Sequence, residues 1–183
     1  DADLLPALAA DPPGCVVPML HGAAGEDGAL RDVLGALGLP YVGSTPGACR
    51  AAFDKPVALS ALASAGLSVP RSVSLPHSTF RELGASAVLE AVVAAVGLPA
   101  VVKPTRGGSA LGVAVVREAT DLPAAMVGAF AYGDAVMIED HVAGTEVAVC
   151  VLDDGESGES RTLPAVEIRP DDEFYSYSAR YTA

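Results

Sequence analysis

Of the eleven basic residues in the chain, only Lys55 and Lys103 are lysines. Lysine offers a compact point charge where arginine offers a flat fork. A chain that uses lysine twice therefore directs attention to sites for phosphate or carboxylate oxygens. Lys103 opens the stretch Lys103-Pro104-Thr105-Arg106-Gly107-Gly108-Ser109-Ala110-Leu111-Gly112, in which glycines and hydroxyls lie between two apolar runs. Such a loop can turn backbone N–H groups toward phosphate oxygens while the ammonium supplies charge. A plain glycine turn between strands is the other reading. The spacing is not the Gly-x-x-x-x-Gly-Lys-Ser/Thr of a P-loop, and no Gly-x-Gly-x-x-Gly follows a strand.

Two further clusters carry polar chemistry. Val136-Met137-Ile138-Glu139-Asp140-His141-Val142 runs from apolar to acidic, and Glu146 follows. Carboxylates at a cleft accept hydrogen bonds from ribose hydroxyls or an exocyclic amine; the alternative is solvated strand ends. Alternation places Glu146 on the side of Ala148 and Cys150, where small residues leave room for a ligand. His141 taken alone reads as a surface residue. His21-Gly22-Ala23-Ala24-Gly25-Glu26-Asp27-Gly28 follows an apolar run and leads into a helix, the position where α/β sheets bind ligands. A neutral His21 there could orient a carboxyl group, or the segment could be turn chemistry alone.

These residues need elements to hold them. Gly14 to Leu20 reads as a buried strand, Asp27 as the cap of a helix carrying Leu30, Val33, Leu34 and Leu37, and Tyr41 to Gly43 as a second short strand. This strand–helix–strand pattern reads as half of a doubly wound α/β sheet, whose first strand and glycine turn are expected ahead of residue 1. Thr45 to Gly66 is helical, with Asp54 capping its second helix and Pro56 in that helix's first turn. Val69 to Val73 reads as an edge strand, and Thr79-x-x-Glu82 as a capping box for a helix ending at Gly97. Ala100 to Lys103 and Val113 to Val116 are strands on either side of the glycine loop, and Asp121 caps the next helix. Ala135 to Glu139 and Glu146 to Leu152 are expected to pair as a hairpin, Asp153 to Ser160 to form an exposed tip, and Thr162 to Ile168 one more strand. After Pro170 the chain is acidic and aromatic, with no closing strand or helix expected.

Composition narrows the partners. The chain has 183 residues, a net charge of −12 and no basic run, which excludes nucleic acid and anionic membrane as natural partners. Its apolar runs fall well short of the roughly 20 residues needed to span a bilayer, and the first residues lack the pattern of a secretory signal. Three cysteines, Cys15, Cys49 and Cys150, are widely spaced; they read as small core residues in a reducing cytoplasm.

In order and spacing the motifs resemble those of the D-alanine–D-alanine ligases of the ATP-grasp superfamily. The matching stretches are His21-Gly-x-x-Gly-Glu-Asp-Gly28, Tyr41-Val-Gly-Ser44, Asp54-Lys55, Gly66-Leu-x-Val-Pro70, Gly97-Leu-Pro-x-x-Val-Lys-Pro104, Gly108-Ser-x-x-Gly112, Ile138-Glu139 with Gly-x-Glu146, and Glu173-Phe-Tyr-x-Tyr-x-x-x-Tyr181. The resemblance implies ATP-dependent joining of two D-alanines through an acylphosphate, in the making of cell-wall precursors. Lys55 and Lys103 would hold ATP phosphates, with Gly108 in the phosphate loop. Glu139, Asp140, His141 and Val142 would meet the adenine edge, and Glu146 the ribose. Ser109 would hydrogen-bond toward Tyr181 at the first-substrate site, with His21 and Tyr177 near that substrate and Arg180 reaching for the γ-phosphate. A cytoplasmic homodimer is also implied.

The chain departs from the family's pattern in three places. Ala110 stands where a second serine is usual. The opening segment, with its ammonium-binding glutamate, is not in the sequence, and the ligands for two Mg²⁺ ions are expected beyond Ala183. On this reading residues 1–53 are the remnant of an N-terminal substrate-binding α/β domain, 54–153 the antiparallel ATP-grasp lid subdomain with its helices, and 154–183 the start of the C-terminal ATP-grasp subdomain. The overall class is α/β (α+β overall). The 183 residues alone are expected to bind nucleotide without catalysing ligation.

Overall fold

The structure, a computed structural model, describes residues 3–153, 158–170 and 176–181. It begins with short helices: α1 (Leu4–Ala10), α2 (Ala23–Glu26), α3 (Ala29–Ala36), α4 (Pro46–Phe53) and α5 (Lys55–Ser64). The expected strand at 14–20 does not form. A single parallel bridge joins Val16 to Tyr41, with Val16 N donating to Pro40 O and Val42 N to Val16 O. Val17 and Met19 are exposed, because among the described residues no neighbouring strand extends that bridge and covers the run. Asp27 accepts from Ala29 N at 2.9 Å, so it supports the start of α3 as expected, although Gly28 occupies the cap position itself. Its φ of +91° and the Pro46 carbonyl, 2.5 Å from where a Cβ would stand, restrict that position to glycine. Thr45 and Asp54 cap α4 and α5 through Ala48 N and Val57 N.

The centre of the molecule is a four-stranded sheet in the order β1-β4-β2-β3, with every adjacent pair antiparallel: β1 (Ser72–Pro76), β2 (Ala100–Pro104), β3 (Ala114–Val116) and β4 (Ala135–Asp140). Helices α6 (His77–Leu83) and α7 (Ala85–Val96) lie between β1 and β2, and a 3₁₀ turn (Ala119–Asp121) leads into α8 (Leu122–Phe130). One sheet face presents Ala100, Val102, Val116, Val136 and Ile138 to Val88, Val92 and Val96 of α7 and to Leu122, Met126 and Ala129 of α8, and this is the core. Alternation sends Lys103, Met137 and Glu139 to the opposite face.

Several expectations need correction. The edge strand is real but lies three residues later than expected, at Ser72–Pro76. Thr79 and Glu82 form no capping box, because α6 starts at His77 directly after Pro76 and its cap is Pro76. Asp121 ends the 3₁₀ turn with helical dihedrals and makes no side-chain cap bond. Ala135–Asp140 does not pair with 146–152, since β1 and β2 already occupy both of its edges. Residues 146–168 instead form two small ribbons: β5 (Val147–Ala148) pairs with β8 (Val166–Glu167), and β6 (Val151–Asp153) pairs with β7 (Ser160–Thr162). The expected single strand at 162–168 is thus split, and the tip at 154–157 lies outside the described residues. Cys49 is buried, but Cys15 and Cys150 are exposed, because the runs that carry them are not covered. A five-residue helix, α9 (Tyr177–Tyr181), stands where no closing element was expected.

Candidate active site

The glycine loop between β2 and β3 is held at its base by backbone contacts. Thr105 N donates to Ala135 O at 3.1 Å, and Lys55 N donates to Thr105 O at 2.9 Å, so the start of α5 is joined to the loop. The loop then takes two consecutive left-handed residues, Ser109 at φ +56° and Ala110 at φ +57°. This conformation is costly for side-chain-bearing residues and is seen where surrounding structure enforces it. At the far end Gly112 packs so closely on Tyr132 that a Cβ would stand 2.7 Å from its ring.

Both lysines converge on this loop. Lys103 forms an ion pair with Glu139, the one charged residue buried among those described, two positions along β4 from its own register partner Met137. Lys55 Nζ donates to Gly107 O at 3.0 Å. Burial pulls the Lys55 ammonium below the usual lysine range and the nearby Lys103 charge pulls it further, while Glu139 and Asp54 act in the opposite direction. Two ammonium groups are thus gathered around one carboxylate, an arrangement suited to a polyanion that relieves their repulsion. Gly108 turns its Cα toward the Glu26 carboxylate, which would stand 2.8 Å from an added Cβ.

Beside the loop lies a cavity of about 620 Å³, lined by His21, Ser109, Tyr177 and Tyr181 together with Phe53, Arg106 and Tyr132 among others. Ser109 Oγ and the Tyr181 hydroxyl are 2.8 Å apart, a hydrogen bond that ties the glycine loop to α9 across 72 residues of sequence. The His21 ring meets Tyr181 edge-on at 6.0 Å, and Tyr177 lies against Tyr181 at 4.9 Å. His21 therefore reaches this cluster from the turn before α2, a helix of only four residues.

Other expected site residues are placed differently. The Asp140 carboxylate is occupied by Arg71, whose Nε and Nη2 donate to its two oxygens at 2.9 and 3.0 Å. Arg71 holds that carboxyl below the usual aspartate range. His141 N donates to Pro99 O, and Val142 is exposed. Glu146 is exposed beside β5 and away from the cavity; its carbonyl accepts from Ile168 N at 2.9 Å. Alternation does not give it a sheltered small-residue face, because the strand breaks after Ala148. Arg180 is exposed on α9 and outside the cavity lining. Glu173, Phe174 and Tyr175 lie outside the described residues. The sequence reading missed Phe53 and Tyr132 as cavity walls and Arg71 as the partner of Asp140. Neither Phe53 nor Tyr132 lies in a motif that marks a site, and Arg71 lies 69 residues from its carboxylate.

Among the described residues no group of three His, Cys, Asp or Glu side chains could hold a metal ion. The described residues therefore do not form a magnesium site.

The antiparallel sheet backed by two helices is that of the ATP-grasp fold, which solved D-alanine ligases share. The VanG D-Ala:D-Ser ligase from Enterococcus faecalis matches with a TM-score of 0.76 and 34% identity, over 93% of this chain and 47% of that one. The family model described as the D-Ala D-Ala ligase C-terminus matches residues 61–183. A D-alanine–D-alanine ligase from Geobacter sulfurreducens is 36% identical over 90% of this chain and 48% of its own length. One from Desulforudis audaxviator is 42% identical, over 89% of this chain and 51% of its own length. The chain belongs to the D-alanine–D-alanine ligase family, and it spans about half the length of these curated relatives.

Proposed function

We propose that this sequence contributes the nucleotide-gripping and first-substrate part of an ATP-dependent D-alanine–D-alanine ligase that works in the cytoplasm on peptidoglycan precursors, as a homodimer. The carrying observation is the convergence of the chain's two lysines on the glycine loop, whose Ser109 is in turn bonded to Tyr181 over the cavity. Residues 54–153 form the nucleotide lid, 1–53 belong to the substrate-binding domain, and 154–183 begin the C-terminal subdomain.

A carboxylate is a poor electrophile, and the proposed chemistry gives it a leaving group. A carboxylate oxygen of one D-alanine attacks the γ-phosphorus of ATP, and the bond to the β,γ-bridging oxygen breaks to release ADP. The amine of a second D-alanine then attacks the acyl carbon of the D-alanyl phosphate, loses a proton and expels inorganic phosphate. In this scheme Lys55 and Lys103 neutralise phosphate oxygens, and backbone N–H groups of the loop from Gly108 to Ala110 approach them. Glu139 keeps Lys103 extended along the sheet, and the backbone around Asp140 and Val142 borders the adenine; Glu146 and Arg180 would have to move inward to reach the ribose and the γ-phosphate. Ser109 and Tyr181 close the loop over the first D-alanine, His21 and Tyr177 flank it, and water is excluded from the acylphosphate. ATP and Mg²⁺ are the cofactors of the full reaction, the metal supplying charge neutralisation when bound.

A relative that is a D-Ala:D-Ser ligase raises a second reading for the acceptor, in which D-serine stands in place of the second D-alanine. The test is calorimetric titration of the chain with ATP, followed, in a full-length ligase that carries this sequence, by phosphate release with D-alanine alone and with D-alanine plus D-serine. ATP binding with release driven by D-alanine alone is expected. Absence of ATP binding overturns the reading, and release that requires D-serine reassigns the acceptor.

A further inference from the structure

The residue after Thr105 is not used in this mechanism, yet it is held from three sides. Arg106 pairs with Asp54 in an antiparallel bridge, its Nε lies 4.0 Å from an Asp54 carboxylate oxygen, and its guanidinium sits 5.7 Å from the centre of the Phe53 ring. Asp54 accepts from Val57 N at 3.3 Å through its other oxygen and so caps α5, whose first residue is Lys55. One residue beyond Arg106, the Gly107 carbonyl accepts from the Lys55 ammonium.

We infer that Arg106 is a positioning residue: seated on Phe53 and Asp54, it locks the base of the glycine loop to the α4–α5 junction and thereby holds the Lys55 ammonium beside Lys103. The physical need for such a clasp lies in the site itself. Two like charges brought together in a half-buried place repel, and a free lysine side chain would swing into solvent. Neither Arg106 contact is strong alone, since an exposed ion pair and an exposed cation–π contact are each weak in water. Acting on one guanidinium, with the backbone bridge beneath it, they fix the direction in which Gly107 presents its carbonyl. Arg106 needs no contact with nucleotide to do this.

The inference rests on the nucleotide reading only for its consequence, and the test separates the two. Because the chain has just two lysines, reductive methylation with ¹³C-formaldehyde gives one NMR signal for each, with Lys55 assigned through Lys55→Arg. In the parent chain the Lys55 signal should titrate below the ordinary lysine range. In Arg106→Leu, and more weakly in Phe53→Leu, it should climb toward that range while ATP binds about tenfold more weakly, the scale of one coupled contact. Phe53→Leu alters no charge, so a shift there reports posture rather than lost repulsion, and it carries the test should Arg106→Leu fail to fold. A Lys55 titration unchanged in both folded variants overturns the inference. A shift in the variants of a parent chain that binds no ATP leaves the clasp standing and removes the nucleotide reading.

Discussion

At the scale of single residues, Lys103 has two duties that mutagenesis can separate. Its ammonium neutralises Glu139, which is only 9% exposed, and in the proposed function it meets phosphate. Lys103→Ala leaves a buried carboxylate unpaired, a loss of about 3–5 kcal/mol in stability. Adding Glu139→Gln removes that charge, so the double variant should recover much of the lost Tm. ATP affinity should stay about 10- to 100-fold weaker than in the parent, the scale of a lost charged hydrogen bond. Recovery of both in calorimetry would show that Lys103 serves the fold alone. Tyr181→Phe removes the hydroxyl that meets Ser109, and in the ligase reaction it should raise KM for D-alanine more than KM for ATP; equal rises would place the effect in the fold. Both residues were legible in the sequence, Lys103 from its rarity and its place at the foot of a glycine loop, Tyr181 only through the family motif. Arg106 was visible as a second cation in the loop, but nothing in the spacing could show that Asp54 and Phe53 would receive it.

Elements were legible where one strong local signal set them. Gly97 at φ +86° ends α7, and the continuous apolar run from Val136 to Ile138 forms a strand buried on both faces. They were less legible where tertiary contacts decided, as in α6, which starts at the end of β1 and passes over the sequence's own capping box. Pairing was the hardest to read, because neighbouring runs in sequence suggest hairpins, whereas β4 inserts between β1 and β2. Arg71 shows how such an order is secured. From the residue before β1 it donates to Ala95 O and Val96 O at the end of α7 and to Asp140 at the end of β4. Arg71→Ala should therefore lower Tm at neutral pH by freeing three elements at once. The Asp140 carboxyl titrates lower in the folded chain than in the unfolded one, so its contribution is present above the unfolded value of about 3.9 and fades as pH falls through the folded value. Melts of parent and variant should accordingly approach each other below about pH 4. A Tm difference that stays constant down to pH 2.5 would assign the effect to the carbonyl contacts alone.

Across the whole molecule, burial is concentrated in one place. The buried residues of the core cluster all lie between 88 and 138, with Val73, Leu75 and Phe80 packed against them from β1 and α6. The segment before it contributes Leu34, Leu39 and Cys49, and every described residue of the four ribbon strands β5 to β8 is exposed. Opening free energies follow local packing, so such a molecule should not exchange its amide hydrogens uniformly. The amides of Val102, Val136 and Ile138 should exchange slowest, at the rate of global unfolding, and those of 147–167 orders of magnitude faster. The loop 105–112 should fall between, its bonds to Ala135 and Lys55 set against two left-handed residues. ATP at 100 times its Kd adds about 2.7 kcal/mol to whatever opening abolishes the site. Slowing should therefore appear in 105–112 and in the first turn of α5 together. Protection confined to the loop would mean that Lys55 and the loop open independently. Protection spreading into the ribbons would mean that nucleotide draws Glu146 toward the cavity, the movement that its place beside β5 requires before it can meet a ribose.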